Sequence, residues 1–177
     1  MSQPLFPVRP RVAVVVGNPK PASRTLAAAT HVATALAGSA PDLVVDLGTL
    51  GGRLLDWSDA GVTELVAQVG AADLVVVASP TYKATYTGLL KIFLDRFAGG
   101  TGLRGVAVPL MLGGGPAHAL APEHTLRPLL DELGGRTVRG LYVLDAAHDD
   151  PTAYADWLDA VADDVRVLVT ARAGVPA

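Results

Sequence analysis

The chain has 177 residues, no cysteine, and a formal net charge of −3 from 17 acidic and 14 basic side chains. That length suits one domain able to bury its own core, and the missing cysteines exclude a disulfide scaffold, a zinc ribbon, a thiol nucleophile and CxxC redox chemistry. Half of the residues are hydrophobic but only 5% are aromatic. The apolar runs VAVVVG and VAVPLML fall far short of the roughly 20 residues of a membrane span, and the lack of a basic stripe argues against a nucleic-acid partner.

In chain order, residues 1–10 hold three prolines and no apolar h-region, so a loose arm is expected there rather than a signal peptide. A single domain follows over residues 11–172, and residues 173–177 are expected to fray. Residues 11–16 read as the first strand. A loop over 17–23 leads into a helix ending near Gly38. A second strand covers 43–47, and a helix runs from about 60 to 70. A third strand covers 73–78, a loop 79–86, and a helix 87–97. The fourth strand is 106–112; three glycines follow it, then a helix to about Leu133. The fifth strand is 137–144, and a last helix runs over 151–170.

Short Val-rich runs of this kind are the pattern of strands buried on both faces. Five strands alternating with five helices predict an α/β fold with a doubly wound parallel sheet, helices on both faces, right-handed crossovers and strand order 2-1-3-4-5. Ligands of such sheets bind outside the carboxyl ends of the strands, at the switch point between strands 1 and 3. That rule selects the loops 17–25, 79–87 and 113–118.

The first loop carries Asn18, Lys20, Ser23, Arg24 and Thr25. A helix N-terminus offers unpaired N–H groups and partial positive charge, which suits a phosphate. Ser23 also reads as a simple helix cap, but a cap alone needs neither Lys20 nor Arg24 beside it. No Gly-Lys-Ser/Thr is present, so the loop is not a Walker A motif. The second loop carries Pro80, Thr81, Tyr82 and Lys83; these suit a flat wall for a planar ring, and equally an ordinary packed loop. In the third, Gly113, Gly114 and Gly115 let backbone approach a ligand closely or simply form a flexible turn. The chain has three lysines against eleven arginines, and Lys20 and Lys83 both lie in these loops.

Other motifs carry less. Gly100, Gly102 and Gly105 match GxGxxG, but the match follows a helix and precedes a strand, the reverse of the dinucleotide fingerprint, so it reads as a turn. His31, His118, His124 and His148 lack HExxH spacing. His148, Asp149 and Asp150 with Asp145 read either as a cation site or as a solvated loop capping the last helix. Pro128 has no N–H, so the carbonyl of His124 loses its partner and the helix is expected to distort over 124–128, a π-bulge being one way.

Three motifs in order, GNPKPASRTL, SPTYKATYTGLLKIFLDRF and GGGPAHALAPEHTLRPLLDELGG, resemble the NADPH-dependent FMN reductase family of flavodoxin-like fold, in particular the reductase components of two-component alkanesulfonate monooxygenases. The resemblance implies that Asn18, Lys20, Ser23, Arg24 and Thr25 bind the FMN phosphate, Asn18 standing where a serine is usual. It implies that Pro80 to Lys83 hold the isoalloxazine and that Gly113 to Gly115 face its pyrimidine edge. It further implies hydride transfer from NADPH or NADH to flavin N5, a cytoplasmic enzyme, a homodimer or homotetramer paired through the helix TGLLKIFLDRF, and a partner monooxygenase that receives reduced flavin. In this comparison His124 falls at an inserted residue in the fourth helix, a position tied to flavin exchange and subunit packing; a proline kink with an exposed histidine is the equal alternative. No side-chain nucleophile or acid is required, and no metal. Three alternatives stand: a reductase that keeps FMN and acts on quinones, azo dyes or metal oxyanions, a non-enzymatic electron carrier, and a doubly wound domain that binds some other phosphate. Electron carriers of this fold are strongly acidic around the flavin, whereas this chain places basic residues there.

Overall fold

A computed structural model describes residue 6 and residues 8–173. Six parallel strands form one sheet: β1 (Val12–Val16), β2 (Leu43–Asp46), β3 (Leu74–Pro80), β4 (Val106–Gly113), β5 (Arg136–Thr137) and β6 (Leu141–Leu144). The order is β2-β1-β3-β4, and both β5 and β6 pair with the far side of β4. The doubly wound flavodoxin-like order expected from the sequence is therefore present, with the fifth strand in two pieces.

That break has a cause in β4. Gly105 and Ala107 accept from Arg136 and Val138, so the odd residues of β4 face the fifth strand. The next odd residue is Pro109, which has no N–H to offer. β5 pairs with Val106 and Ala107, β6 resumes opposite Leu110, and the chain leaves the ladder between them.

The helices are α1 (Arg24–Ala37), α2 (Ala60–Ala71), α3 (Gly88–Leu94), α4 (Arg127–Glu132) and α5 (Thr152–Ala173). Successive strand residues point to opposite faces, and the cores divide accordingly. Val14, Val76 and Val108 pack with Val32 and Leu36 of α1 and with Trp157 and Val165 of α5. Val15, Val77 and Met111 pack with Val62 of α2, Phe93 of α3 and Leu130 of α4. The buried α5 positions Tyr154, Trp157, Val161, Val165 and Val169 recur at helical spacing. Residues 1–5 and 7 of the expected arm, and 174–177 of the expected fray, lie outside the described residues; Phe6 is buried in the first core and Arg9 pairs with Asp42.

A π-helical turn (Pro122–Leu126) precedes α4, closed by the Arg127 N–H on the Pro122 carbonyl. It lies two residues ahead of the expected distortion. The wide turn absorbs the extra residue early and leaves Pro128 in the first turn of α4, where a missing N–H is tolerated. The Thr125 hydroxyl donates to the Ala121 carbonyl at 2.6 Å. Glu123 accepts from the Gly140 N–H at 2.8 Å and pairs with Arg127. Burial pushes the Glu123 carboxyl up, but the Gly140 N–H and the Arg127 guanidinium outweigh it and hold the group below its ordinary range. Gly140 sits in the gap between β5 and β6, where a Cβ would come within 3.0 Å of the Pro122 Cβ and the Glu123 nitrogen. The strand break and the π turn thus pack on each other.

Candidate functional site

The loops after β1, β3 and β4 meet at the carboxyl end of the sheet. Thr87 ties the first two together. Its hydroxyl donates to the Gly17 carbonyl at 2.6 Å and accepts from Leu90 N–H at 3.1 Å, so one side chain caps α3 and anchors the end of β1. The Thr87 N–H donates to the Ser79 hydroxyl oxygen at 3.0 Å.

Loop one is built from its own polar side chains. The Asn18 amide donates to the Thr25 hydroxyl oxygen at 3.1 Å, and its carbonyl accepts the Lys20 N–H at 3.0 Å. Ser23 caps α1, its hydroxyl oxygen accepting from Leu26 N–H at 3.3 Å. Asn18, Ser23 and Thr25 therefore shape the loop, while Lys20 and Arg24 reach solvent. The N–H groups of Arg24 and Thr25, in the first turn of α1, have no carbonyl partner among the described residues. Ala22 adopts a positive φ of 51°, and its N–H is held by an Asp46 carboxylate oxygen at 2.9 Å. Gly48 lets the chain after β2 approach this loop; a Cβ there would lie 2.8 Å from the Asn18 carbonyl.

Loop two is a tight hairpin. Tyr82 and Thr85 exchange backbone hydrogen bonds of 2.9 and 3.3 Å, and the residues between them, Lys83 and Ala84, have φ of 53° and 69°. Positive φ at both central positions is the twist-matched hairpin turn, here formed without glycine. It leaves the Tyr82 ring 53% exposed. Thr81 donates its N–H to the Leu112 carbonyl at 2.6 Å, while its buried hydroxyl oxygen has no partner among the described residues.

Loop three is set by Tyr142 of β6. Its hydroxyl donates to the Gly115 carbonyl at 2.6 Å. A Cβ on Gly113 would lie 2.0 Å from that hydroxyl, whereas one on Gly114 or Gly115 would meet nothing within 4 Å. Gly113 is therefore required by packing, and Gly114 and Gly115 form an open ledge.

All twelve residues expected from the sequence lie in these three loops or at the element ends that flank them, with Arg24 and Thr25 opening α1, Pro80 ending β3 and Gly113 ending β4. Asp46, Tyr142 and Asp145 were not expected there, and Thr87, though inside the selected loop 79–87, was given no role. Thr87 could have been found as a Thr directly before an apolar helical run; the others carried no local signal. Asp145 pairs with Arg24 at 2.5 Å, and Asp150 accepts from the Thr152 N–H and hydroxyl at 2.9 and 2.7 Å in the first turn of α5. This is the capping reading of that acidic loop. The GxGxxG segment lies at the opposite end of the sheet, where a Cβ on Gly105 would come 2.3 Å from the Ala72 carbonyl.

A helix start with open N–H groups, an aromatic hairpin and a glycine ledge stand together at the switch point of a flavodoxin-like doubly wound sheet. The chain belongs to the NADPH-dependent FMN reductase family, whose profile matches residues 10–149. It is 36% identical over 94 residues to an FMN reductase (NADPH) of Pseudomonas putida, covering 52% of this chain and 44% of that protein; the match spans under half of that relative's length. It is 30% identical over 160 residues to the NADH-dependent FMN reductase SfnF of Pseudomonas fluorescens, covering 85% of this chain and 82% of that one. Among solved structures it is similar to apo NADH:FMN oxidoreductase EmoB, with a TM-score of 0.76, 31% identity and 88% of each chain covered.

Proposed function

We propose that the protein is an NAD(P)H-dependent FMN reductase that supplies reduced flavin to a partner monooxygenase. The observation that carries the reading is the pairing of donors and space at one end of the sheet. Open N–H groups at the start of α1 stand beside a glycine ledge with nothing above it and an orphaned Thr81 hydroxyl. This donor set fits FMN. Lys20, Arg24 and the first-turn N–H groups would hold the phosphate. Pro80, Thr81, Tyr82 and Lys83 would bear the ring, and Gly113 to Gly115 would place backbone along its pyrimidine edge. Bound FMN supplies the hydride acceptor at N5, with NADPH or NADH as donor. The chain's own part is to bind, to orient and to hold donors near the pyrimidine edge, where negative charge develops.

Delivery to a monooxygenase is supported by the likeness of the three loop motifs to reductase components of such systems. Association into a homodimer or homotetramer is supported by α3, where Leu90, Phe93 and Leu94 are buried in the domain but Leu89 and Ile92 remain half-exposed.

The test is steady-state oxidation of NADH and NADPH by the purified protein with and without free FMN. Turnover that saturates with free FMN is the expected result. A yellow protein indifferent to added FMN but accelerated by quinone would move the assignment to a flavin-retaining quinone reductase. No oxidation and no flavin binding would remove the flavin reading altogether.

A further inference from the structure

We propose that Asp145 is a specificity-determining counter-anion, which by pairing with Arg24 weakens the grip of this site on a phosphate monoester. The inference rests on the FMN reading above. Arg24 is the first residue of α1, and its side chain spans from the first loop to the turn after β6. There Nη1 meets a carboxylate oxygen of Asp145 at 2.5 Å, 121 residues away in the chain. The two side chains are 59% and 42% exposed, so the pair is weak and exchangeable.

The backbone at Asp145 is positioned by contacts other than Arg24. It opens the short 3-10 turn (Asp145–Ala147) after β6. Its carbonyl lies 3.1 Å from His148 Nδ1, and the His148 carbonyl takes the hydroxyl of buried Tyr154 at 2.6 Å. Tyr154 packs on His31 of α1 with 4.6 Å between ring centroids. The backbone of the corner that carries the carboxylate is thus fixed from beneath, so the carboxylate remains within reach of Arg24 when another anion arrives.

A carboxylate and a phosphate are both acceptor-only anions seeking the same guanidinium. A phosphate at the start of α1 must share Arg24 with Asp145 or displace it, against like-charge repulsion either way. Riboflavin has the same ring and no phosphate, so it escapes this competition. The pair therefore sets the ratio of FMN to riboflavin affinity, and it lowers that ratio.

Quenching of flavin fluorescence, titrated with FMN and with riboflavin, tests the proposal on wild type, Asp145→Asn, Asp145→Glu, Arg24→Met and the Arg24→Met/Asp145→Asn pair. Asp145→Asn, nearly isosteric, is expected to bind FMN about threefold to fivefold tighter at low salt with riboflavin unchanged. Asp145→Glu is expected to keep the wild-type ratio, and Asp145→Asn to lose its effect when Arg24 is Met. An unchanged or lowered FMN-to-riboflavin ratio in Asp145→Asn overturns the proposal, as does equal tightening without Arg24. Wild type that binds neither flavin would instead defeat the FMN reading beneath it.

Discussion

The hydroxyl of Tyr142 donates to the Gly115 carbonyl at 2.6 Å, and the same oxygen would lie 2.0 Å from a Cβ placed on Gly113. One phenol from β6 thus fixes both ends of the glycine ledge: it clamps Gly115 and requires Gly113 to lack a side chain. Tyr142→Phe leaves the Gly115 carbonyl without its donor and frees the ledge. FMN affinity is expected to fall roughly fivefold, the equivalent of about 1 kcal/mol. Riboflavin should lose the same factor, because the proposed binding mode sets the ledge along the ring and away from the phosphate. Gly113→Ala should cost about 1–3 kcal/mol of folding stability from overpacking, read by urea denaturation. Combining it with Tyr142→Phe should recover only part of that loss, since the ring carbon bearing the hydroxyl lies 2.8 Å from the added methyl.

Loop two holds strain that a single substitution can release. Ala84 sits at a φ of 69° in the hairpin turn between Tyr82 and Thr85. Left-handed backbone costs a residue with a Cβ about 1 kcal/mol, and glycine nothing. Ala84→Gly is therefore expected to stabilise the protein by up to about 1 kcal/mol, less the entropy glycine adds to the unfolded chain. Thermal unfolding checks this. A loss of more than about 1 kcal/mol, beyond what glycine's unfolded-state entropy costs, would mean that the turn conformation is not the one described.

His124 lies in the π turn with its side chain exposed, and its own N–H bonds to the Leu120 carbonyl at 2.9 Å. The turn is held by Thr125, Glu123 and the Arg127 N–H rather than by the imidazole. His124→Ala should then leave monomer stability within about 0.5 kcal/mol. If the imidazole serves subunit packing and flavin release, light scattering should report a smaller assembly and titration a changed FMN affinity. If neither changes, His124 has no such role.

The order of the sheet and the three site loops were legible because they rest on local patterns. Val-rich strands, Ser23 as a cap and Gly38 at a φ of 70° after α1 each announce themselves within a few residues. What stayed hidden came from contacts between distant segments. Asp145 meets Arg24 across 121 residues and Tyr142 meets Gly115 across 27, and neither contact leaves a mark on its own stretch of sequence. The split of the fifth strand was written at Pro109, in another strand, and appears only once the partner of that proline is known. The π turn was half legible: Pro128 signalled a disturbed helix, while its place at Pro122–Leu126 depended on packing against Gly140.

The corner beneath Asp145 also predicts a pH dependence. Burial, with the Asp149 charge nearby, pushes the Tyr154 phenol up to about 12 from an ordinary 10.0. In the unfolded chain the phenol ionises near its ordinary value, so above pH 10 the unfolded state loses a proton that the folded state still holds. The stability contributed by the neutral buried phenol is fully present below pH 10 and is lost as pH rises to about 12, amounting to roughly 2–3 kcal/mol across that window. Tyr154→Phe has no proton to lose. It should start less stable at neutral pH by about 1 kcal/mol, because the His148 carbonyl no longer receives the hydroxyl at 2.6 Å. It should then decline less steeply than wild type between pH 10 and 12. Urea midpoints measured across that range for both proteins decide the matter: parallel curves would mean that Tyr154 ionises in the folded protein as readily as in the unfolded chain.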